Sequence, residues 1–110
     1  MKRKTEVRSR ADVIKLLKDK TEFEREVLVT TFEIPRGKVS TYKRIAEKIG
    51  RPHAYRAVGN ALHKNPLAPI VPCHRVLRSD GRLGGYGGGV NVKKRLLEEE
   101  GIPFRRGRFE

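Results

Sequence analysis

Turn-forming residues divide this chain of 110 residues into short segments. The turn signals, mostly proline and glycine, stand at Pro35-Arg36-Gly37, Gly50, Asn65-Pro66, Asp80-Gly81 and a glycine-rich run at 84–89. Because proline and glycine interrupt helices and strands, each segment between them has room for one short element. A chain of this length also builds one hydrophobic core. The sequence therefore predicts a single domain, residues 1–110, made of short elements.

Five segments carry the signals of helices. Ser9 and Thr21 can cap the first two, and Glu24 stands where it would complete a capping box with Thr21. The other three are predicted from apolar residues at helical spacing and from turn residues at their ends. They run from Tyr42, after a Thr41 cap, to about Ile49, from His53 to about Lys64, and from an Asn91 cap to Glu100.

The predicted fold class is α+β, mostly helical and winged-helix-like. The third and fourth helices, joined by a short glycine-containing turn, fit a helix-turn-helix, although an ordinary helical hairpin has the same pattern. Asp80-Gly81 lies between Val76-Leu77 and Arg82-Leu83, which predicts a small β-hairpin. The basic flanks, residues 1–10 and 104–110, are predicted to be a loose arm and a tail.

The net charge of +13 is concentrated in the middle of the chain. Between Glu33 and Glu98 there are 14 lysines and arginines but only two acidic residues, Glu47 and Asp80. A thermophile-type surface would add acids as well as bases, so this excess predicts a polyanionic partner, most commonly nucleic acid. No segment approaches the length of a membrane span, and we expect no membrane partner.

Cys73 is the single cysteine of the sequence and stands in Pro72-Cys73-His74-Arg75. A neighbouring imidazole and a positive charge both favour a thiolate, so Cys73 is a candidate nucleophile. The alternative is a small buried hydrophobic residue, the usual place of a free cysteine. One cysteine excludes an intrachain disulfide and a multi-cysteine zinc site, which predicts a reduced, intracellular protein without a metal.

Several motifs occur in a characteristic order. They are Thr41-Tyr42, Arg56-Ala57-Val58-Gly59, Asn65-Pro66, Pro72-Cys73-His74-Arg75-Val76, Gly85-Tyr86-Gly87-Gly88, Leu96-Leu97 and Glu100-Gly101. From about Thr21 to Gly101, this ordered set resembles the C-terminal domain of the O6-alkylguanine-DNA alkyltransferases, the methylated-DNA–protein-cysteine methyltransferases.

The resemblance implies DNA repair by direct damage reversal. An alkyl group on guanine O6 would pass to Cys73 in one irreversible turnover, without a cofactor. His74 would act as the base through a bound water, and Glu100 would orient that histidine. Asn65 would brace the active-site turn. The chemistry agrees, because displacing an alkyl group from this oxygen needs a thiolate made by a neighbouring base.

The resemblance also implies a monomer that binds double-stranded DNA containing O6-alkylguanine and flips the base out of the helix. Arg56 would replace the flipped nucleotide in the stack. Tyr42 and Tyr86 would lie at the lesion pocket, and Val76 would offer its backbone carbonyl to the base. Gly87 and Gly88 would bring backbone N–H groups to O6, with Gly87 standing where many relatives have serine.

Two other classes stay open: a DNA-binding protein without chemistry, in two forms, and a cysteine hydrolase. Short alkyltransferase-like proteins bind the lesion without repairing it, but they replace the cysteine, usually with tryptophan, whereas this chain has Cys73. A winged-helix DNA-binding regulator would use the same basic helices without chemistry. A cysteine hydrolase is a weaker alternative, because its site would not need a basic recognition helix.

Overall fold

The computed structural model describes residues 9–68, 70–86, 89–106 and 108–109. Over these ranges the chain is mostly helical, with short strands. The helices are α1 (Arg10–Leu16), α2 (Glu22–Phe32), α3 (Tyr42–Lys48), α4 (Tyr55–His63) and α5 (Val90–Glu99). The strands are β1 (Ser40–Thr41), β2 (Val76–Leu77), β3 (Phe104–Arg105) and β4 (Arg108–Phe109).

The predicted caps of the first three helices are confirmed. The Ser9 hydroxyl accepts from the Asp12 N–H over 3.2 Å. Thr21 and Glu24 form the predicted capping box, with the Thr21 hydroxyl accepting from the Glu24 N–H and the Glu24 carboxylate accepting from the Thr21 N–H. The Thr41 hydroxyl caps α3. Each such cap stabilises its helix by about 1 kcal/mol. Because Ser9 caps α1 and Arg10 begins it, the arm predicted for residues 1–10 is wrong at its end. Met1 to Arg8 lie outside the described residues.

The turn between α3 and α4 depends on Gly50. Its φ of 77° is the left-handed conformation that glycine adopts easily. The N–H of Gly50 donates to the Glu47 carbonyl and that of Arg51 to the Ala46 carbonyl, which is a Schellman ending. The chain then makes one further turn, so α4 begins at Tyr55 rather than at the predicted His53.

The last helix begins at Val90, one residue before the predicted Asn91 cap. Gly89, with a φ of 99°, is the cap residue, and its carbonyl accepts from the Lys93 N–H. At the other end, Gly101 and Ile102 repeat the Schellman ending of α3. This ending holds Glu100 at the C-cap, where its side chain can turn back towards the core.

The strand β2 pairs with a different partner from the predicted one. It runs parallel to β1, with Ser40 opposite Val76 and Thr41 opposite Leu77. The Asp80-Gly81 turn is present, closed by hydrogen bonds between Arg78 and Arg82 and from Gly81 to Arg78. However, 82–83 is not a strand, and the strand partner of β2 is β1.

A β-hairpin forms instead where a basic tail was predicted. Phe104 pairs with Phe109 and Arg105 with Arg108 in an antiparallel arrangement. Phe109 is 2% exposed and packs in a small cluster with Leu77, Leu97 and Ile102. The prediction of a tail was therefore wrong for residues 104–106 and 108–109, because burial of Phe109 fixes them to the domain.

The main core lies between α1, α2, α3 and α4. It includes Val13, Leu17, Val27, Leu28, Ile45, Ala46, Val58, Ala61 and Leu62, and it extends to Val71, Cys73 and Val76. The cysteine therefore lies where this core meets the segment before β2. None of the described helices is both long and apolar enough to cross a membrane.

Candidate active site

Cys73 begins a single 3₁₀ turn, Cys73–Arg75. Its backbone N–H donates to the Val71 carbonyl over 2.8 Å, which places Pro72 at the centre of a γ-turn. The Asn65 side chain donates from Nδ2 to the same carbonyl over 2.8 Å and accepts from the Leu67 N–H at Oδ1. Asn65 thus ties together the two sides of the turn that presents the cysteine.

The Cys73 side chain is a buried thiol at the edge of the core, with 9% of the residue exposed. Burial raises the pKa of this thiol, while a hydrogen bond from Asn65 and the charge of Lys93 partly offset the rise. The sequence predicted that Arg75 would favour the thiolate, but its guanidinium is held by Glu100 and the Ile34 carbonyl. Cys73 therefore needs a base to become a nucleophile.

His74 is the base nearest in sequence, and it is 2% exposed. Its Nε2 lies 2.6 Å from Glu100 Oε2. Burial lowers the pKa of His74 and outweighs the opposite effect of Glu100, so the ring is neutral near pH 7. Because an ionised carboxylate only accepts hydrogen bonds, Nε2 carries the proton and Nδ1 the lone pair. Nδ1 is buried and has no hydrogen-bond partner among the described residues.

Glu100 joins this histidine to the rest of the domain. Its carboxylate accepts from Arg75 Nε over 2.8 Å, from Arg75 Nη2 over 3.1 Å and from the Gly37 N–H over 3.4 Å. Burial acts to raise the pKa of Glu100, but the hydrogen bonds from Arg75, His74 and Gly37 prevail and lower it to about 2. The carboxylate is thus ionised and holds the His74 ring in one orientation.

We expect Glu100→Gln to remove a pH-dependent part of the stability. The wild-type carboxyl has a pKa of about 2 in the folded protein and 4.5 as its ordinary value. Stability from this group is therefore complete above pH 4.5 and is lost as the pH falls towards 2, with a difference of about 3 kcal/mol. Urea unfolding of the Gln variant should show lower stability at pH 7 and a flatter acid profile.

The control for this experiment is Glu99→Gln. Glu99 is the neighbouring carboxylate, but 60% of its side chain is exposed and its partner, Arg95, lies 3.8 Å away on the same helix. This variant should keep the wild-type acid profile. If Glu100→Gln and Glu99→Gln follow the same profile as the wild type, the buried ion pairs contribute nothing to the acid response.

A narrow cavity adjoins the cysteine. Cys73 lines about 20 Å³ of space together with Tyr42, Gly59, Leu62, His63, Gly85 and Tyr86. Tyr42, Gly59, His63 and Gly85 also line a more open cleft of about 450 Å³. The shared residues place the thiol at the inner end of that cleft. Gly84 lets the walls approach, because a Cβ on it would lie 2.8 Å from the Tyr42 hydroxyl.

Lys93 is a member of this site that the sequence reasoning missed. It is fully buried, and its Nζ donates to the Val76 carbonyl over 2.7 Å and to the Gly85 carbonyl over 3.3 Å. Burial lowers the pKa of Lys93 to about 8. A signal was present, because Lys93 stands one helical turn before the buried Leu97, on the apolar face of α5.

We expect Lys93→Met to raise the pKa of Cys73, because it removes the positive charge that favours the thiolate. The rate of modification by iodoacetamide, measured against pH, should rise at a higher pH than in the wild type and be several-fold slower near neutrality. Lys94→Met is the matched control, since Lys94 is 43% exposed and pairs with Glu98. Superimposable profiles for the two variants would contradict the proposed influence of Lys93.

The remaining predicted site residues have different positions. Tyr86 is half-buried and meets the His74 ring edge-on, with centroids 6.5 Å apart. Arg56 is exposed in the first turn of α4 and lines the outer cleft with Tyr42. The Val76 carbonyl, predicted to meet a base, accepts from Lys93 and has a second lone pair. Gly87 and Gly88 lie outside the described residues.

The structure therefore brings most of the predicted residues to one site. Those around the inner cavity and its hydrogen-bond chain are Cys73, His74, Glu100, Asn65, Tyr42, Val76 and Tyr86. Among the described residues, no three His, Cys, Asp or Glu side chains are grouped so that they could hold a metal ion.

The comparison with known sequences identifies relatives of this arrangement. Residues 22–102 match the family model described as 6-O-methylguanine DNA methyltransferase, DNA binding domain. The methylated-DNA–protein-cysteine methyltransferase of Methanosarcina barkeri is 51% identical over 87 residues, which are 79% of this chain and 55% of that protein. The chain thus spans about half the length of the curated relatives it matches.

Solved structures agree with the sequence comparison. Mycobacterium tuberculosis OGT in complex with DNA has a TM-score of 0.72 and 51% identity, over 73% of this chain and 50% of that one. Schizosaccharomyces pombe Atl1, in complex with damaged DNA containing O6-carboxymethylguanine, has a TM-score of 0.70 and 37% identity, over 81% of this chain and 87% of that one. The chain therefore belongs to the 6-O-methylguanine DNA methyltransferase family and contains its DNA-binding domain.

Proposed function

We propose that this protein repairs DNA by moving the alkyl group of O6-alkylguanine to Cys73, irreversibly and without a cofactor. The observation that carries the proposal is the hydrogen-bond chain Arg75–Glu100–His74, which ends beside a buried cysteine at the inner end of a surface cleft. Relatives at 51% and 49% identity, described as methylated-DNA–protein-cysteine methyltransferases, support it.

The reaction begins with the thiol proton. His74 Nδ1, the atom with the free lone pair, accepts that proton through a water molecule, and the ionised Glu100 stabilises the imidazolium that forms. The sulfur of Cys73 then attacks the alkyl carbon, so that an S–C bond forms as the C–O6 bond breaks. The electron pair of the broken bond stays with guanine, which takes up one proton overall. The resulting thioether is stable, which limits each molecule to one turnover.

The base must enter a cavity that is smaller than a purine. Since the space beside Cys73 is about 20 Å³, residues that line it must shift to admit a flipped guanine. Tyr42 and Tyr86 then flank the base, and the Val76 carbonyl accepts a hydrogen bond from it. The backbone N–H groups of Gly87 and Gly88 stabilise the leaving oxygen O6.

DNA docks on the helix-turn-helix formed by α3 and α4, with α4 as the recognition helix of a winged-helix-like monomer. Arg56, in the first turn of α4, enters the base stack when the guanine leaves it, because its long planar cation can stack and bind phosphate or base. The resemblance favours docking in the minor groove. Because the proposed partner is double-stranded DNA, we expect the protein to act inside the cell.

A second candidate function is lesion binding without chemistry. The likeness to S. pombe Atl1 in complex with damaged DNA, over 87% of that chain, supports it. Cys73 and His74, whose ring is hydrogen-bonded to Glu100, favour alkyl transfer over lesion binding alone. Recognition of the lesion would need neither a thiol nor a base.

The experiment that distinguishes alkyl transfer from lesion binding measures how much O6-methylguanine remains in the DNA. A duplex oligonucleotide with one O6-methylguanine is mixed with increasing amounts of protein and then digested to nucleosides for chromatography. We expect O6-methyldeoxyguanosine to be converted to deoxyguanosine in a 1:1 ratio to protein, without further turnover. A duplex that is bound but keeps all of its methyl groups would overturn the proposal and favour lesion binding.

A further inference from the structure

The C-terminal hairpin, β3 and β4, lies beyond the residues matched by the family model, which end at 102. Its arginines at positions 105, 106 and 108 are all exposed. Arg106 lies at the turn with a φ of 54°, a conformation that is uncommon outside glycine. The hairpin therefore exposes three positive side chains.

The hairpin is fixed to the turn at 78–82. The Phe109 N–H donates to the Gly81 carbonyl over 2.9 Å. A Cβ on Gly81 would lie 2.9 Å from the Phe109 carbonyl oxygen, so the two segments approach as closely as glycine permits. The Phe104 and Phe109 rings are 4.6 Å apart, and Phe109 is buried. These contacts hold the arginines of the hairpin next to those of the turn.

Together, segments 78–82 and 104–109 contain five arginines and one acidic residue, Asp80. Arg78 and Arg82 each lie 3.7 Å from the Asp80 carboxylate. The N–H of Arg82 and the charges of Arg78, Arg82 and Arg108 lower the pKa of Asp80. Arg108 lies beside the same turn, because its Cβ is 3.3 Å from where a Cβ on Gly81 would be. The single carboxylate of Asp80 cannot neutralise all five guanidinium groups of these two segments. We name the five arginines (78, 82, 105, 106 and 108) the arginine ridge.

The arginine ridge is continuous with the cleft assigned to DNA. Arg78 lines the outer cleft of about 450 Å³ with Tyr42 and Arg56. It also lines a second depression, of about 580 Å³, with residues that include His53, Tyr55 and Ser79. The positive surface therefore runs from the first turn of α4, through the 78–82 turn, to the hairpin.

We propose that the arginine ridge is a second, sequence-independent contact with the phosphate backbone of duplex DNA, outside the lesion pocket. A row of exposed guanidinium groups beside a DNA-binding cleft fits a phosphate strand, because arginine binds phosphate through paired N–H donors. The proposal rests on the proposed function for the placement of DNA in the cleft. It adds a contact that lengthens the footprint and contributes affinity for undamaged DNA.

The test compares two double variants, Arg105→Gln with Arg108→Gln and Lys15→Gln with Lys18→Gln, in binding to undamaged duplex DNA over a range of salt concentrations. Both pairs remove two exposed charges, but Lys15 lies on α1 and Lys18 just after it, and neither lysine lines a DNA cleft. Each lost phosphate contact should lower the slope of log K against log salt by about 0.9. We expect the arginine pair to lower it by about 1 to 2 and to weaken binding tenfold or more at low salt. The lysine pair should leave the slope close to that of the wild type.

A third variant, Arg105→Lys with Arg108→Lys, guards against an effect on folding. It should keep most of the slope, because a phosphate contact depends chiefly on charge. The proposal would be overturned if the variant with Arg105→Gln and Arg108→Gln kept the wild-type slope. It would also be overturned if the variant with Arg105→Lys and Arg108→Lys lowered the slope as much as the glutamine variant does. Failure of repair is seen separately, because a wild type that leaves O6-methylguanine intact contradicts the transfer reaction whatever the slopes are.

Discussion

Replacing Cys73 with alanine is expected to abolish alkyl transfer completely while leaving the affinity for duplex DNA nearly unchanged. In the proposed function the thiol is the acceptor, whereas Arg56 and the basic residues of the surrounding clefts bind DNA, so the two properties depend on different side chains. The measurements are nucleoside analysis of an O6-methylguanine duplex and fluorescence anisotropy of the same labelled duplex.

Cys73→Ser is the companion variant because serine is similar in size. It keeps a hydrogen-bonding group for Asn65 but offers an alcohol in place of a thiol, which is far harder to ionise near neutral pH. Both variants should bind the lesion and repair none of it. Restoration of guanine by the alanine variant would end the assignment of Cys73 as the acceptor.

The second large effect is expected from Arg56→Ala. Without the guanidinium in the stack, the cost of unpairing and unstacking the guanine is not offset, and a cost of about 3 kcal/mol corresponds to about a 100-fold slower repair of duplex DNA. Arg56→Lys should recover only part of the rate, because lysine keeps the charge but not the planar group. Free O6-benzylguanine needs no flipping, so both variants should react with it at close to the wild-type rate.

Arg95→Ala is the control for Arg56, since Arg95 is an exposed arginine of α5 that lies outside both DNA clefts. Arg95→Ala should leave both rates close to those of the wild type, because it removes only one charge that is distant from the clefts. The rates of Cys73 alkylation with duplex and free base are measured side by side. If Arg56→Ala slows both substrates equally, Arg56 supports the pocket or the fold and does not enter the stack.

Local signals predicted much of the helical framework. Thr21 and Thr41 cap their helices as expected because an N-cap depends on the side chain and on the backbone N–H groups two or three residues ahead. Gly50 and Gly101 end α3 and α5 because the left-handed conformation is easy for glycine. Such features are encoded within a few residues and can be identified without the tertiary structure.

Pairings between distant segments were the main errors. The partner of β2 is β1, which is separated from it in sequence by α3 and α4. The Asp80-Gly81 turn favoured a local hairpin that does not form. The composition of the C-terminal hairpin did not indicate strands, because four of residues 104–109 are arginine or glycine and only Phe104 and Phe109 are apolar. Its order comes from the burial of Phe109 against Leu77 and Leu97, which are far from it in sequence.

The site was predicted from motifs, but its electrostatics were not. The approach of His74 to Glu100 was expected from the resemblance, whereas the role of Arg75 as the main partner of Glu100 was not. Lys93 was missed because a lysine is usually placed on a solvated helix face, and its burial depends on three acceptors from other segments: Val76, Gly85 and Tyr42. Only the tertiary structure brings these acceptors together.

The central claim, covalent transfer to Cys73, is tested most directly by the mass of the protein. The wild type is mixed with an excess of duplex containing O6-methylguanine, and the intact mass and the masses of its proteolytic peptides are measured. We expect a gain of one methyl group per molecule, located on the peptide that contains Cys73, with no further gain at longer times. An unchanged mass in a protein that binds the duplex, or a methyl group on any other residue, would contradict it.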